Sequence, residues 1–274
     1  MDTPDNAGAS DVTTRRGAQI PIVGFGTWQI QGDAAREAVL TGLEIGYRHI
    51  DTATVYGNEH QIGRALSDSK IARDELFITT KLPGNATSVR ATIEQSLSDL
   101  GVDYVDLWLI HWPPVHSYGP TGNSSRALYE AMLALRDEGL ARAIGVSNYS
   151  IKEIDELTNA TSDAPEINQI PWSPNLHDES LRRDLNLRDV RLEGYSPLKT
   201  SRLDDPVLEK IASSLGVSSA QVVLRWHVQH GIVVIPKSVH RERIRENFDI
   251  FSFSLSTDAM RRLDSLTSDG FHEA

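Results

Sequence analysis

The chain has 274 residues, 39% of them hydrophobic and 24% charged, the make-up of an ordinary globular protein with one large domain or two small ones. Its 27 lysines and arginines against 38 aspartates and glutamates leave a net charge of −11. That balance argues against a nonspecific nucleic-acid or anionic-membrane binder and requires a local basic patch wherever an anion is held. The absence of cysteine excludes disulfide scaffolds, thiolate nucleophiles and Cys-ligated zinc, fits a reducing compartment, and leaves any redox chemistry to a cofactor.

In chain order, residues 1–12 read as a disordered tail, because Met1 to Ser10 is acidic and rich in small residues and lacks the basic segment and apolar core of a signal peptide. No run approaches the roughly 18 apolar residues of a membrane span, so a cytoplasmic protein is expected. Arg15-Arg16-Gly17-Ala18-Gln19-Ile20 predicts a short hairpin. Eight strand candidates follow: Ile22 to Gly26, Tyr47 to Ile50, Leu76 to Thr80, Val105 to Ile110, Ala143 to Val146, Ile167 to Ile170, Arg191 to Gly194 and Ile232 to Ile235. Segments of helical periodicity alternate with them, such as Ala34 to Ile45 and Ala127 to Leu135, which is the pattern of βα units around a parallel sheet. Asn58 and Ser88 stand where helix N-caps belong, with Gln61 three residues after Asn58, and Gly46, Gly101, Gly139, Gly216 and Gly231 follow helical runs as C-terminal caps.

Eight strands with interleaved helices predict an α/β fold, a (β/α)8 TIM barrel of about 250 residues with an N-terminal β-hairpin closing its bottom. No composition break divides residues 1–274, so a single domain is expected. The Pro- and Gly-containing stretch Trp112 to Asn123 reads as a loop at the barrel mouth. A doubly wound sheet is the competitor, but Gly24-Phe25-Gly26-Thr27-Trp28-Gln29 lacks the third glycine of the dinucleotide fingerprint.

Polar residues interrupt the apolar runs at the C-terminal end of one strand after another: Asp51, Lys81, His111, Ser147 with Asn148, Gln169, Tyr195 and Lys237. That is the rim on which barrel enzymes place their active sites. Each residue alone is compatible with capping, snorkelling or a core hydrogen bond; their coincidence on one rim points to chemistry. Asp, Lys, Tyr and His together make a proton donor, since an ammonium lowers a phenol pKa from its usual value near 10, a carboxylate holds the ammonium, and an imidazole orients a carbonyl. Such a set protonates a carbonyl oxygen while hydride reaches its carbon.

Three long, ordered motifs then carry a family resemblance. Gly46-Tyr47-Arg48-His49-Ile50-Asp51-Thr52-Ala53 with Tyr56-Gly57-Asn58-Glu59 and Ile62-Gly63, then Ala143-Ile144-Gly145-Val146-Ser147-Asn148-Tyr149, then Ile235-Pro236-Lys237-Ser238 with Arg243 and Glu246-Asn247-Phe248 resemble the three signatures of the aldo-keto reductases. The resemblance runs from Ile20 to Leu266 and is to the bacterial short-loop members, near the 2,5-diketogluconate and methylglyoxal reductases. It implies NADPH-dependent reduction of aldehydes and ketones to alcohols over a broad substrate range, with Tyr56 as general acid, Lys81 and Asp51 tuning it, and His111 positioning the carbonyl.

The same resemblance implies NADPH extended over the barrel mouth. Ser147, Asn148 and Gln169 then meet the carboxamide, Tyr195 stacks on the nicotinamide, and Ser196, Leu198 and Val239 also line the cofactor. Lys237, Ser238 and Arg243 take the 2′-phosphate, with Glu246 and Asn247 near the adenine. Composition agrees about the phosphate, because Lys237, Arg241, Arg243 and Arg245 outnumber Glu242 and Glu246 and form a basic island in an acidic chain; a solvated helix face accounts equally for Arg241 and Arg245. Trp28, Val55 and Trp112, with His111, are expected to wall a pocket for a small carbonyl substrate. A monomer without nucleic-acid or membrane partners completes the expectation.

Two segments depart from the family pattern. Pro171-Trp172-Ser173-Pro174 replaces the Glu, aromatic, His and Pro common after Gln169, and Lys199-Thr200-Ser201 stands where members commonly have Gly; Lys199 is there a candidate phosphate contact. The chain after Leu266 is also short, which implies an open pocket. Two other functions use parts of the sequence. A cofactor-sensing subunit on a related fold is disfavoured by the complete set of four catalytic residues, and a Schiff-base lyase on Lys81 is disfavoured because Asp51 keeps that lysine charged.

Overall fold

Because a helix returns the chain to the starting end of the sheet after each strand, successive strands run parallel and neighbour one another. The computed structural model describes residues 11–116 and 123–266. Its elements are β1 (Asp11–Thr13), β2 (Gln19–Pro21), β3 (Gly24–Gly26), α1 (Gly32–Ile45), β4 (His49–Asp51), α2 (Glu59–Ser69), β5 (Phe77–Leu82), α3 (Val89–Leu100), β6 (Val105–Ile110), α4 (Ser125–Asp137), β7 (Ala141–Ser147), α5 (Ile151–Thr161), β8 (Ile167–Pro171), α6 (Glu179–Leu187), β9 (Arg191–Tyr195), α7 (Pro206–Leu215), α8 (Ser219–Gln229), β10 (Val233–Ile235), α9 (Arg241–Phe248) and α10 (Thr257–Asp264). Strands β3 to β10 lie in one parallel sheet in sequence order, with none of the order reversal of a doubly wound sheet.

The sheet curls until its first and last strands meet. Val23 bridges Val234, the Val234 N–H donates to Ile22 O at 2.9 Å, and the Gly26 N–H donates to Pro236 O at 3.0 Å. The two glycines that look like half a phosphate loop serve this geometry instead. A Cβ on Gly26 would stand 2.9 Å from the Ile235 carbonyl oxygen, and one on Gly24 would stand 2.6 Å from the His49 ring, so only glycine fits either place unless the neighbours move.

The barrel interior has two halves. Toward the strand N-termini it is filled by Ile20, Phe77, Leu107, Leu109, Ala143, Ile167 and Val233. Ile20 comes from the β1–β2 hairpin, which also ties itself to that end through Thr14 Oγ1 donating to Glu166 Oε2 at 2.5 Å, Arg191 Nε donating to Thr13 O at 2.9 Å, and an Arg15–Asp163 ion pair. Toward the strand C-termini the interior turns polar, with Asp51, Lys81, Gln169 and Glu193 all buried, and His49 at the start of β4 buried below them. Helices α1 to α10 cover the outer face of the sheet through a continuous apolar layer.

Two expectations need correction. Asp11 and Val12 belong to β1, paired with Pro21 and Ile20, and not to the tail. The rest of the tail, residues 117–122 of the mouth loop, and the segment after Leu266 lie outside the described residues. Asn58 occupies the N-cap position of α2 without capping it, because its amide is tied to the loops of the mouth. Ser88 does cap, accepting the Ala91 N–H at 3.3 Å, and all five glycines expected to follow helices do so with positive φ. Among the described residues no single helix is long and apolar enough to cross a membrane.

Candidate active site

Strand alternation turns His49 and Asp51 of β4 to the same side, and the register places Asp51 beside Thr79, two residues before Lys81 on β5. Lys81 Nζ donates to Asp51 Oδ1 at 2.6 Å and to Thr52 O at 2.9 Å. Gln169 Nε2 donates to the other Asp51 oxygen at 2.8 Å. A buried ion pair holds together when its remaining lone pairs and protons are also bonded, and here they are. Burial pulls the Lys81 ammonium pKa down, but Asp51, Tyr56 and Glu193 outweigh it and leave the pKa raised, so the lysine stays charged at neutral pH.

Tyr56 ends a 3-10 turn, Thr54–Tyr56, and every neighbour of that turn pins it. Thr54 Oγ1 donates to Lys81 O at 2.9 Å, and Gln31 Nε2 donates to Tyr56 O at 2.7 Å. Asn58 Nδ2 donates to Thr27 O and Ile30 O at 2.9 Å, while its Oδ1 accepts from Thr52 Oγ1 at 3.0 Å. The result sets Lys81 Nζ 5.2 Å from the centre of the Tyr56 ring, which meets the His111 ring edge-on at 5.6 Å and 75°. All four expected catalytic residues are therefore in one place.

Their electrostatics differ from the expectation in one respect. Burial raises the Tyr56 hydroxyl above its usual pKa; Lys81, by charge and hydrogen bond, pulls it down as expected, and Asp51 pushes it up. Burial wins, because a phenolate loses more hydration than one ammonium returns. Burial, and after it Lys81, lower the His111 pKa to about 3, so its imidazole is neutral at physiological pH.

The residues expected along a cofactor fall into two groups on the same rim. Ser147, Asn148 and Tyr195 form a chain: Tyr195 OH donates to Asn148 Oδ1 at 2.9 Å, Asn148 Nδ2 donates to Ser147 Oγ at 2.9 Å and to His111 O at 3.1 Å, and Ser147 Oγ donates to Gln169 O at 2.8 Å. Asn148 and Ser196, the first residues after β7 and β9, have φ of 63° and 52°, a left-handed conformation that costs energy and recurs at functional sites. Leu198 is half-buried beside them.

The second group follows β10. Lys237, Val239, Arg243 and Glu246 are exposed, Ser238 and Asn247 are buried, and Ser238 Oγ accepts the His240 N–H at 3.1 Å. Arg241 pairs with Glu44 at 2.8 Å. Lys237 and Arg243 make no ion pair among the described residues, and no side chain caps the N-terminus of α9. Uncapped N–H groups beside free cations are what a phosphate requires.

Trp28 and Trp112 are each 42% exposed and Val55 59% exposed, a large apolar surface around the mouth. The two departures from the family pattern touch each other: Ser173 Oγ donates to Thr200 O at 3.0 Å, and the Arg202 N–H donates to Asn175 Oδ1 at 2.9 Å. Lys199, carried by that loop, holds its ammonium 5.2 Å from the centre of the Trp28 ring, a cation–π contact across the mouth. Sequence reasoning missed Glu193, fully buried on β9 under the Lys81–Asp51 pair. An acid in the middle of an apolar strand, two residues before Tyr195 and so facing the same way, was the signal that could have found it.

The aldo/keto reductase family model matches residues 22–268. The chain is 40% identical over 264 residues to a glyoxal reductase of Bacillus subtilis, covering 94% of this chain and 93% of that protein. It is 39% identical over 254 residues to the methylglyoxal reductase DkgA of Yersinia pestis, covering 91% and 90%. An aldo/keto reductase crystal structure from Brucella melitensis superposes with a TM-score of 0.88 at 41% identity, covering 93% of this chain and 97% of that one.

Proposed function

The chain belongs to the aldo/keto reductase family of oxidoreductases, and from that premise we propose that it reduces aldehydes and ketones with NADPH, Tyr56 being the proton donor. The observation that carries this reading is the hydrogen-bonded Asp51–Lys81 pair set against Tyr56, with a neutral His111 meeting the Tyr56 ring edge-on.

Reduced nicotinamide, when bound, supplies the hydride that reaches the carbonyl carbon. The Tyr56 hydroxyl gives its proton to the carbonyl oxygen and becomes a phenolate. Lys81 stabilises that phenolate, and Asp51 keeps Lys81 charged and aimed. His111 donates a hydrogen bond to the carbonyl oxygen and does not compete as a base, since its pKa lies near 3. The alcohol leaves, and Tyr56 regains a proton from water.

Lys237, Arg243 and the N-terminus of α9 would hold a 2′-phosphate, which favours NADPH over NADH. Ser147, Asn148 and Gln169 would hold the carboxamide, with the Gln169 amide nitrogen turned to Asp51 and its oxygen left to accept. Tyr195 would flank the ring. The exposed walls Trp28, Val55 and Trp112 support a broad range of small carbonyl substrates. The relatives named glyoxal and methylglyoxal reductase make 1,2-dicarbonyls the first compounds to try. A cytoplasmic monomer remains part of the proposal. The test is NADPH consumption, followed by absorbance, over a panel of aldehydes, ketones and dicarbonyls; tight NADPH binding without turnover on any of them would instead favour a cofactor-sensing protein.

A further inference from the structure

Glu193 is 0% exposed, in the middle of β9, and neither of its carboxylate oxygens meets a hydrogen-bond donor in bonding geometry among the described residues. The elements around it present few groups that could satisfy a charge. From β4, His49 Nε2 approaches Oε1 to 3.9 Å, but that ring is held between Thr79 Oγ1 at 3.0 Å and Pro21 O at 3.4 Å and is neutral, its pKa lowered to about 4 by burial. Asp51, also on β4, carries the same sign as an ionised Glu193. Lys81 on β5 donates to Asp51 and Thr52, and the neighbouring strand residues are Gln169 on β8 and the apolar Val233 on β10.

An ionised carboxylate buried away from donors is costly, and such a group takes up a proton. Charge counting gives the same answer: Asp51 and Lys81 already cancel, so an ionised Glu193 leaves the buried cluster at −1. After Tyr56 has given up its proton, the cluster stands at −1 with Glu193 neutral and at −2 with Glu193 ionised. We infer, on the carbonyl-reductase reading above, that Glu193 is a positioning residue whose carboxyl must be neutral for Tyr56 to donate its proton, so that its ionisation shuts down reduction on the alkaline side.

Burial, and after it Asp51, push the Glu193 pKa up to about 8 against the pulls of Lys81 and the Gln169 amide, and an ionised Glu193 in turn raises Tyr56. The group is therefore a neutral acid in the working range and becomes an anion one step above it.

Two measurements test this on the intact protein. In the kcat profile for carbonyl reduction, the native enzyme should lose about tenfold between one pH unit below and one above an ionisation near 8, and Glu193→Gln, which is neutral throughout, should keep its neutral-pH kcat and lose that ionisation. An unchanged profile in Glu193→Gln, or an equal loss at every pH, overturns the inference. Infrared difference spectroscopy needs no turnover: the native protein should show a protonated carboxyl C=O stretch at neutral pH that titrates away near 8, absent from Glu193→Gln and retained in Glu59→Gln, which removes the other buried glutamate of raised pKa. No such band in the native protein overturns the inference even if Glu193→Gln fails to fold. A protein that shows the band but reduces no carbonyl refutes the reductase reading alone.

Discussion

Gln169 Nε2 donates to Asp51 Oδ2 at 2.8 Å, filling the carboxylate oxygen that Lys81 leaves open. One amide thereby joins β8 to the Asp51–Lys81 pair across the mouth. Gln169→Leu leaves that buried oxygen unpaired, so unfolding free energy should fall by about 1–3 kcal/mol and kcat should fall with it. Denaturant unfolding and NADPH turnover read the two effects; no change in either would uncouple Gln169 from Asp51.

Tyr56→Phe removes the proton and little else. Turnover should drop by about 10² to 10⁴, the usual weight of a general acid, while NADPH affinity measured by fluorescence stays within about twofold of native, on the same principle that the hydroxyl acts in the chemical step. Native-like turnover would transfer the donor role to another group.

Lys237→Ala with Arg243→Ala deletes two cations at α9 that make no ion pair among the described residues. The loss should be about 10- to 100-fold in NADPH affinity, from charge-assisted bonds of roughly 1.5–3 kcal/mol, with NADH nearly unaffected. Equal losses for the two cofactors would place the 2′-phosphate elsewhere.

His49 gives a pH dependence of stability with a definite sign. Its folded pKa is lowered to about 4, by burial first and Lys81 in addition, against Asp51 and the Pro21 carbonyl. The unfolded chain, near the ordinary 6.5, therefore binds the proton first as pH falls, and stability is lost from about 6.5 down to about 4. At about 1.4 kcal/mol per pH unit the loss reaches roughly 2 kcal/mol by pH 5. The melting temperature of His49→Gln should fall less than that of the native protein over this range; parallel curves would contradict the assignment.

Gly26→Ala tests the closure of the barrel. Its Cβ would meet a backbone oxygen at 2.9 Å, which cannot rotate away, and the seam should open at a cost of about 1–3 kcal/mol. A midpoint in urea equal to the native one would show that β3 and β10 can part without penalty.

The eight strands, the alternating helices and the rim of polar strand ends were legible because periodicity and local punctuation are properties of consecutive residues. Asp51, Lys81 and His111 stood out because each breaks an apolar run at a strand end, and Tyr56 because it lies inside a long motif. Asn58 was misread for the same reason: an Asn before a helix looks like a cap, and the competing partners Thr27, Ile30 and Thr52 arrive only with the fold.

Order along the chain thus determined the barrel, its family and the residues that are candidates for proton donation. The tertiary structure alone decided which bonds those residues make: that Gln169 faces Asp51, that the two unusual segments at Ser173 and Thr200 meet, that Lys199 crosses to Trp28, and that the buried Glu193 carboxylate makes no geometric hydrogen bond among the described residues. Each of these joins strands or loops far apart in sequence, and desolvation, which sets the acidity of Tyr56, His111 and Glu193, exists only once the barrel has closed around them.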